Sequence, residues 1–217
     1  MKILVVSQYF WPENFRVNDL VEELSQRGHD ITVLTGYPNY PDGVVFEDFR
    51  NTPSAFSQFA GAKVYRVPLS ARGNGFLRLA LNYLSFMMSA AVLGPLRLRG
   101  QKFDVVFVFQ LSPATVGIPA IVLGKLKKTP VVLLVLDLWP ESLAAVGAVR
   151  SRRILKAIGW LVGFIYNRCE LVLGQSKGSL DGIAKYCDDA RKIRYFPSWA
   201  EEVFNNDSVQ LAAEVPV

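Results

Sequence analysis

The sequence predicts an α/β fold, a parallel sheet with helices on both faces. Short and nearly uninterrupted apolar runs, such as Ile3–Val6 and Val131–Leu136, are typical of strands buried on both faces. Between them lie segments whose apolar residues recur every three or four positions, as in Phe15–Arg27, which is typical of helices. This alternation over 217 residues, 51% of them hydrophobic, predicts one doubly wound domain.

The elements follow in order along the chain. Gly28 ends the first helix, and Gly94-Pro95 is expected to end the long helix Phe76–Leu93. Residues 36–62, rich in proline and glycine, are predicted to be irregular. The domain is expected to cover residues 1–200, and residues 201–217 to begin an interdomain linker or tail. Strands are predicted at Lys2–Tyr9, Asp30–Thr35, Lys63–Val67, Asp104–Phe109, Val131–Leu136, Leu171–Gly174 and Ile193–Phe196, and further helices at Pro113–Lys125, Arg152–Arg168 and Lys177–Tyr186.

The helix Phe76–Leu93 is more apolar than a helix on a sheet needs to be. Its polar residues form one narrow stripe, and the apolar surface is about twice the ~100° that covers a sheet. One apolar flank, with Leu84 and Met88, therefore has no obvious partner, and Arg78, Arg97 and Arg99 bracket it. This pattern favours a helix lying in a membrane interface. Burial under a neighbouring element or in a dimer is the alternative.

Charge is distributed unevenly along the chain. Residues 49–136 contain eleven basic residues and only Asp104, whereas residues 1–48 are acidic. A basic block of this kind indicates an anionic partner, either phospholipid or nucleic acid, or else a solvated face without a partner. Two cysteines and a single histidine make neither a disulfide framework nor a zinc site, so no metal is expected. The apolar start is too short for a signal peptide, which indicates a cytoplasmic protein.

Several candidate site residues follow predicted strands, at the edge where open α/β sheets bind ligands. Asp137, Trp139 and Glu141 follow the strand Val131–Leu136; alternatively, Asp137 caps the next helix and Trp139 only packs. Aromatic, carboxylate, amide and guanidinium groups after the first strand suit a sugar or phosphate-sugar ligand, with a packed aromatic loop as the alternative. The candidates for contact with that ligand are Tyr9, Trp11, Glu13, Asn14, Arg16, Tyr37, Tyr40, Gln110 and Trp139.

Other signals are weaker. No glycine-rich phosphate loop follows the first strand. Ser176 and Lys177 open a helix and could meet an anion there. His29 lies at the opposite end of the sheet and is expected to be structural.

Four stretches together resemble a known family. They are the Tyr-Phe-Trp-Pro-Glu turn of residues 9–13, Arg-Gly-His-Asp-Ile-Thr-Val-Leu-Thr-Gly-Tyr-Pro-Asn-Tyr-Pro of residues 27–41, Asp-Leu-Trp-Pro-Glu-Ser of residues 137–142 and Phe-Pro-Ser-Trp-Ala-Glu-Glu of residues 196–202. They resemble the N-terminal, acceptor-binding domain of GT-B glycosyltransferases of retaining family 4. The most similar subgroup is the fucosamine transferases of bacterial O-antigen and colanic acid assembly.

The resemblance implies a Rossmann-like domain and a transferase. The full enzyme would transfer a sugar from a nucleotide donor, expected to be UDP-linked, to a polyprenyl-pyrophosphate-linked saccharide. The site would lie at the inner membrane face, with no nucleic acid as partner and no cofactor in this domain. Asp137 and Glu141 are the catalytic candidates, gripping acceptor hydroxyls. Many family members carry His-Asp where this chain has Leu136-Asp137, so a histidine-based role does not carry over.

The family's second domain, which binds the nucleotide sugar and carries a Glu-x7-Glu motif, has no counterpart in these residues. The chain by itself is therefore expected to be inactive. Two other functions stay open: a membrane-associated half-enzyme or scaffold that recruits a donor-binding subunit, and a nucleotide-binding Rossmann protein without transferase activity.

Overall fold

The computed structural model describes residues 1–73 and 75–198, and the predicted linker of residues 201–217 lies outside them. It confirms the α/β class. The strands are β1 (Lys2–Val6), β2 (Asp30–Gly36), β3 (Gln58–Phe59), β4 (Ala62–Val67), β5 (Val105–Gln110), β6 (Val131–Val135), β7 (Leu171–Gly174) and β8 (Ile193–Tyr195). The helices are α1 (Val17–Gln26), α2 (Glu47–Asn51), α3 (Phe76–Arg97), α4 (Gly117–Lys127), α5 (Glu141–Ala145), α6 (Arg152–Arg168) and α7 (Lys177–Ala184).

The strands form one eight-stranded sheet in the order β3-β4-β2-β1-β5-β6-β7-β8. Every neighbouring pair is parallel except β3 and β4, which form a hairpin around Ala60 and Gly61. The chain winds away from β1 in one direction through β2 and β4, and in the other through β5 to β8. The strand order therefore reverses between β1 and β5, and ligands of open α/β sheets bind at such a reversal, beyond the strand carboxyl ends.

Two hydrophobic clusters lie on the two faces of the sheet because side chains alternate along each strand. One contains Val106 and Val108 of β5 together with side chains of α3, α4 and α6. The other contains Val33 and Phe109 together with Val17 of α1. Helices on both faces thus cover a sheet whose central strands are apolar throughout, as the sequence predicts.

The structure corrects several predicted boundaries. Strand β1 ends at Val6, and Ser7 to Tyr9 already belong to the loop. The segment 36–62, predicted to be irregular, contains α2, a 3₁₀ turn at Pro53–Phe56 and the short strand β3. Helix α5 was not predicted, because five residues are too few to show a helical repeat.

Helix α3 does not end at Gly94-Pro95 but continues to Arg97. Proline costs little so close to the end of a helix, where few backbone bonds remain to be lost. Gly94 is buried against Leu34 and Leu123, so the lack of a side chain serves close packing here, not helix termination.

The two faces of α3 differ sharply. Phe86 and Ala90 are fully buried, whereas Leu84 is 49% and Met88 57% exposed. Leu77, Leu81, Val92 and Leu96 are exposed as well. At 100° per residue these six apolar side chains form a stripe opposite the core face, which we call the α3 stripe. By length and composition, Leu77–Arg97 is the one stretch in the described part of the chain that could cross a membrane.

This assignment of faces predicts a contrast between two positions on α3. Phe86→Ala should lower the free energy of unfolding by about 3–5 kcal/mol, because it leaves a cavity in the core. Met88→Ala, two residues away on the exposed stripe, should change it by no more than about 0.5 kcal/mol. Urea unfolding of both variants measures the difference. Equal losses would mean that the stripe is not free of the core.

Candidate functional site

The loops at the carboxyl edge are joined through the buried side chain of Asn82 on α3. Its Oδ1 accepts from Gln8 Nε2 at 2.7 Å and from the Tyr9 hydroxyl at 3.1 Å. Its Nδ2 donates to the Ser70 carbonyl at 2.7 Å. The loop after β1, the segment after β4 and helix α3 are therefore held in one arrangement. Asn82 belongs to the polar stripe that the sequence shows, but it faces inward.

Glu13 joins the loops after β1 and β2. It is only 2% exposed, and its Oε1 accepts from the backbone N–H of Asn39 and of Tyr40, both at 2.8 Å. Oε2 accepts from Phe10 N at 3.2 Å. Burial raises the pKa of Glu13, while these donors and the charge of Arg66 oppose the shift. Both carboxylate oxygens of Glu13 therefore connect the loops, and its contact with the ligand stays a prediction.

Arg66 is the cation beside Glu13. It is buried and donates to the carbonyls of Gly36 and Trp11, and burial lowers its pKa to about 10. This residue of the basic block therefore does not belong to any basic surface. Trp11 packs between Phe56 and Phe59, so its indole serves the hydrophobic cluster of that loop.

An aromatic group with one cation borders the site on the β1–β2 side. Tyr9 stacks on Phe15 and contacts Tyr40. The Arg72 guanidinium lies 5.3 Å from the Tyr40 ring centroid, and its interaction with Tyr9 lowers the pKa of that tyrosine. Burial and Tyr83 raise the pKa of Tyr9 to about 12. The tyrosine therefore stays neutral at physiological pH, and Arg72 brings a positive charge to this edge.

The loop 39–43 lies tightly against the backbone of Arg72. Arg72 N donates to Asn39 Oδ1 at 2.8 Å. A Cβ on Gly43, whose φ is +69°, would meet the Arg72 carbonyl oxygen at 1.7 Å. Only glycine fits this close approach, and it sets where the Arg72 side chain begins. Tyr37, in contrast, turns away to pack on Phe49.

The segment after β6 brings Asp137, Trp139 and Glu141 together. Trp139 Nε1 donates to Asp137 Oδ2 at 3.0 Å, and Gln110 Nε2 donates to the Asp137 carbonyl at 2.8 Å. Helix α5 begins after Pro140 without any side-chain cap, so Asp137 is not the cap of that helix. The indole is 7% exposed and orients the partly exposed Asp137 carboxylate.

Glu141 and its neighbours leave several buried polar atoms without a hydrogen bond. The Glu141 Oε1 atom accepts from the Tyr186 hydroxyl at 3.2 Å and lies 3.6 Å from Lys185 Nζ. Its Oε2 atom and Ser142 Oγ are buried without a partner. The Tyr166 hydroxyl is also without one, and burial followed by the charge of Glu141 raises its pKa. Such atoms usually bind water or a ligand group.

The remaining candidates lie at other places along the edge. Asn14 and Arg16 line a cleft of about 360 Å³ with Leu136 and Gln175. Ser176 caps α7, accepting from Ser179 N at 3.1 Å, so its hydroxyl is occupied; Lys177 is exposed beside it. The carboxyl edge thus holds two neighbouring places, the Asp137–Glu141 segment and the cleft at Asn14 and Arg16.

Arg72, Asn39 and Tyr83 were missed from sequence. Tyr83 approaches Trp139 with ring centroids 6.1 Å apart, and its neighbour Asn82 holds Tyr9. The adjacent pair on α3 therefore connects the β1 loop with the β6 loop. Asn39 lies within the quoted Gly-Tyr-Pro-Asn-Tyr-Pro stretch, which was a usable signal. For Arg72 the sequence contains no such signal beyond its position shortly before helix α3. Among the described residues, no cluster of histidine, cysteine and carboxylate side chains could hold a metal.

These features define a Rossmann-like domain whose candidate site lies at the strand carboxyl ends. Residues 14–199 match the family described as Glycosyl transferase 4-like domain, and the chain belongs to that family. It is a GT-B glycosyltransferase domain. No curated protein gives a significant sequence match to this chain.

Solved GT-B structures share the fold at low identity. The kitacinnamycin glycotransferase has a TM-score of 0.57 and 15% identity over 99% of this chain and 55% of its own. Sucrose-phosphate synthase from Thermosynechococcus elongatus has a TM-score of 0.54 and 14% identity, over 90% of this chain and 47% of its own. Anabaena Alr3699/HepE in complex with UDP and glucose has a TM-score of 0.52 and 14% identity, over 91% of this chain and 44% of its own. This chain therefore spans about half the length of these structures.

The role of Glu13 as a connection between loops can be tested by stability. Glu13→Gln should lower the free energy of unfolding by about 2–3 kcal/mol, since an amide nitrogen would face backbone donors. Glu22→Gln, at an exposed position of α1, is the matched control and should change stability little. Urea unfolding compares the two. Equal stability of both variants would show that the loops do not depend on the Glu13 carboxylate.

Proposed function

We propose that this domain is the acceptor-binding half of a retaining glycosyltransferase. The full enzyme transfers a sugar from a UDP-linked donor to a polyprenyl-pyrophosphate-linked saccharide during bacterial surface polysaccharide synthesis, as in O-antigen assembly. The observation that carries the proposal is the partly exposed Asp137 carboxylate, oriented by Trp139 beside Glu141 at the carboxyl edge of a family 4 domain. The HepE complex with UDP and glucose supports the choice of donor.

In this proposal the domain positions the acceptor, and the donor binds in another domain. Asp137 and Glu141 hold acceptor hydroxyls, because carboxylate oxygens accept hydrogen bonds from sugars and fix one orientation. An acceptor hydroxyl oxygen attacks the anomeric carbon of the donor sugar on the face from which UDP leaves. The bond between that carbon and the UDP oxygen breaks, and the departing phosphate takes the hydroxyl proton. Positioning of this kind can supply several kcal/mol of barrier reduction. The chain by itself then transfers no sugar.

The α3 stripe supports attachment to the cytoplasmic face of the inner membrane. Six large apolar side chains point away from the core, and a soluble surface rarely exposes such a continuous patch. Arg78 lies at one end, and Arg97 and Arg99 lie at the other, all exposed. An interfacial helix buries its apolar face among lipid chains and places its cations at anionic headgroups. Because the opposite face packs in the core, α3 lies along the surface instead of crossing it.

The role of Asp137 predicts a loss of turnover without a loss of stability. In an enzyme that carries this domain together with its nucleotide-sugar domain, Asp137→Asn should lower turnover at least tenfold. Stability should change little, because an asparagine oxygen can still accept from Trp139. Asp181→Asn, at an exposed position of α7, is the matched control. Residues 1–217 alone are the control without transfer. Wild-type turnover in Asp137→Asn would mean that Asp137 only accepts the hydrogen bond from Trp139 and does not act on the acceptor.

The membrane role predicts a separation of binding from folding. The double variant Leu84→Asp and Met88→Asp should keep its circular dichroism spectrum but lose sedimentation with vesicles of anionic lipid. Leu126→Asp, also at an exposed leucine but on α4, should sediment like wild type. Wild-type binding should fall with salt, since each basic residue near the surface contributes roughly 1 kcal/mol. Failure of the wild-type chain to bind anionic vesicles at low salt would contradict attachment through α3.

A further inference from the structure

An apolar cavity lies directly beside the Asp137–Glu141 segment. It has a volume of about 230 Å³ and opens between α3, α5 and α6. One threonine, Thr115, lies in its wall, and the Oγ1 atom of this residue is buried without a hydrogen bond. A hydrocarbon suits such a wall better than a sugar, which would need polar partners for its hydroxyls. The lining includes Leu79, Tyr83, Trp139, Leu143, Ile158 and Leu161.

Trp139 belongs to the cavity and to the polar site at the same time. Its ring forms part of the apolar wall, and its Nε1 donates to Asp137 Oδ2 at 3.0 Å. A ligand with a sugar at Asp137 and a hydrocarbon in the cavity would therefore carry its pyrophosphate past Trp139 and Tyr83, whose ring centroids are 6.1 Å apart.

A cation is available on the Tyr83 side of the cavity. The Arg72 backbone N–H donates to Asn39 Oδ1 at 2.8 Å, and Asn82, the residue before Tyr83, donates to the same oxygen at 3.5 Å. Arg72 is therefore held next to the part of α3 that supplies the Tyr83 wall, and a guanidinium is charged at physiological pH. Guanidinium groups bind phosphate oxygens in pairs, so Arg72 complements a pyrophosphate.

The cavity continues outward onto the α3 stripe. Leu84 lines the cavity and is also a member of the stripe. The rest of the stripe extends along α3 as far as Leu96, about 18 Å further on at the helical rise. An apolar path thus connects the cavity with the helix face that we propose to meet lipid.

We propose that this cavity holds the isoprene units nearest the pyrophosphate of the lipid-linked acceptor. The pyrophosphate lies at Arg72, the saccharide at Asp137 and Glu141, and the rest of the chain passes over Leu84 into the membrane. This inference rests on the proposed function and adds a place for the lipid. It follows that the enzyme recognises the lipid as well as the sugar.

Calorimetry with farnesyl pyrophosphate and inorganic pyrophosphate tests this placement, because both probes are water-soluble and lack a sugar. We expect farnesyl pyrophosphate to bind at least tenfold more tightly. Ala148→Phe fills the cavity from a position in its wall. It should lower the affinity for farnesyl pyrophosphate at least tenfold and leave the affinity for inorganic pyrophosphate unchanged. Ala157→Phe, the same change at an exposed alanine of α6 outside the cavity, should leave both unchanged.

The anionic end has its own variant. Arg72→Gln should weaken the binding of both probes at least tenfold, whereas Arg50→Gln, at an exposed position of α2, should leave the binding of both unchanged. Equal affinity for the two probes, or an unchanged farnesyl affinity in a folded Ala148→Phe variant, would overturn the placement.

Photolabelling gives a second readout that needs no variant. A farnesyl pyrophosphate analogue with a diazirine near the pyrophosphate should label residues 79–84 or 158–161. Labelling confined to other segments would overturn the inference even if Ala148→Phe failed to fold.

Failure of the lipid placement differs from failure of the proposed function. If the full enzyme used a water-soluble saccharide as well as its lipid-linked form, the lipid-linked acceptor would be wrong, whatever calorimetry showed. If it required the lipid-linked form while farnesyl pyrophosphate bound no better than pyrophosphate, only the placement would be wrong.

Discussion

The buried amide of Asn82 is the interaction on which the arrangement of the site depends. A fully buried asparagine must satisfy its polar atoms inside the protein, and here its partners come from the segments after β1 and β4. Those partners fix α3 against the sheet edge. Once α3 is fixed there, Tyr83 meets Trp139, and the outer face of the same helix must point away from the core.

Glu13 and Arg66 apply the same rule to the loops after β1 and β2. Burying a carboxylate and a guanidinium is costly unless both are hydrogen-bonded, and here backbone groups supply most of the partners. These hydrogen bonds hold the two loops that carry Tyr9 and Tyr40 in one arrangement. The charged residues discussed at the site thus divide into two kinds: Glu13 and Arg66 hold loops in place, whereas Asp137 and Arg72 are partly exposed.

The apolar surface has a similar division. The α3 residues that face the sheet belong to the larger hydrophobic cluster, whereas the α3 stripe is exposed. Between them lies the cavity beside Trp139. One helix therefore contributes to the core, to the proposed lipid path and, through Asn82 and Ser85, to the polar network, which explains why it is so apolar.

The sequence by itself determined the fold class, the succession of the main strands and helices along the chain, and the bounds of α6 and β7. Apolar runs and helical repeats are local signals, and parallel strands place the loops that follow them at one edge. It also placed Asp137, Trp139 and Glu141 at that edge and identified the apolar excess of α3. Only the tertiary structure decided which polar residues face inward. Glu13 and Asn82 have the same residue types as ligand-binding groups. Their roles depend on partners distant in the chain, such as Asn39, 26 positions from Glu13, and Gln8, 74 positions from Asn82. Arg72 became a candidate for the same reason, because Asn39 and Gly43, distant in the chain, hold its backbone at the site.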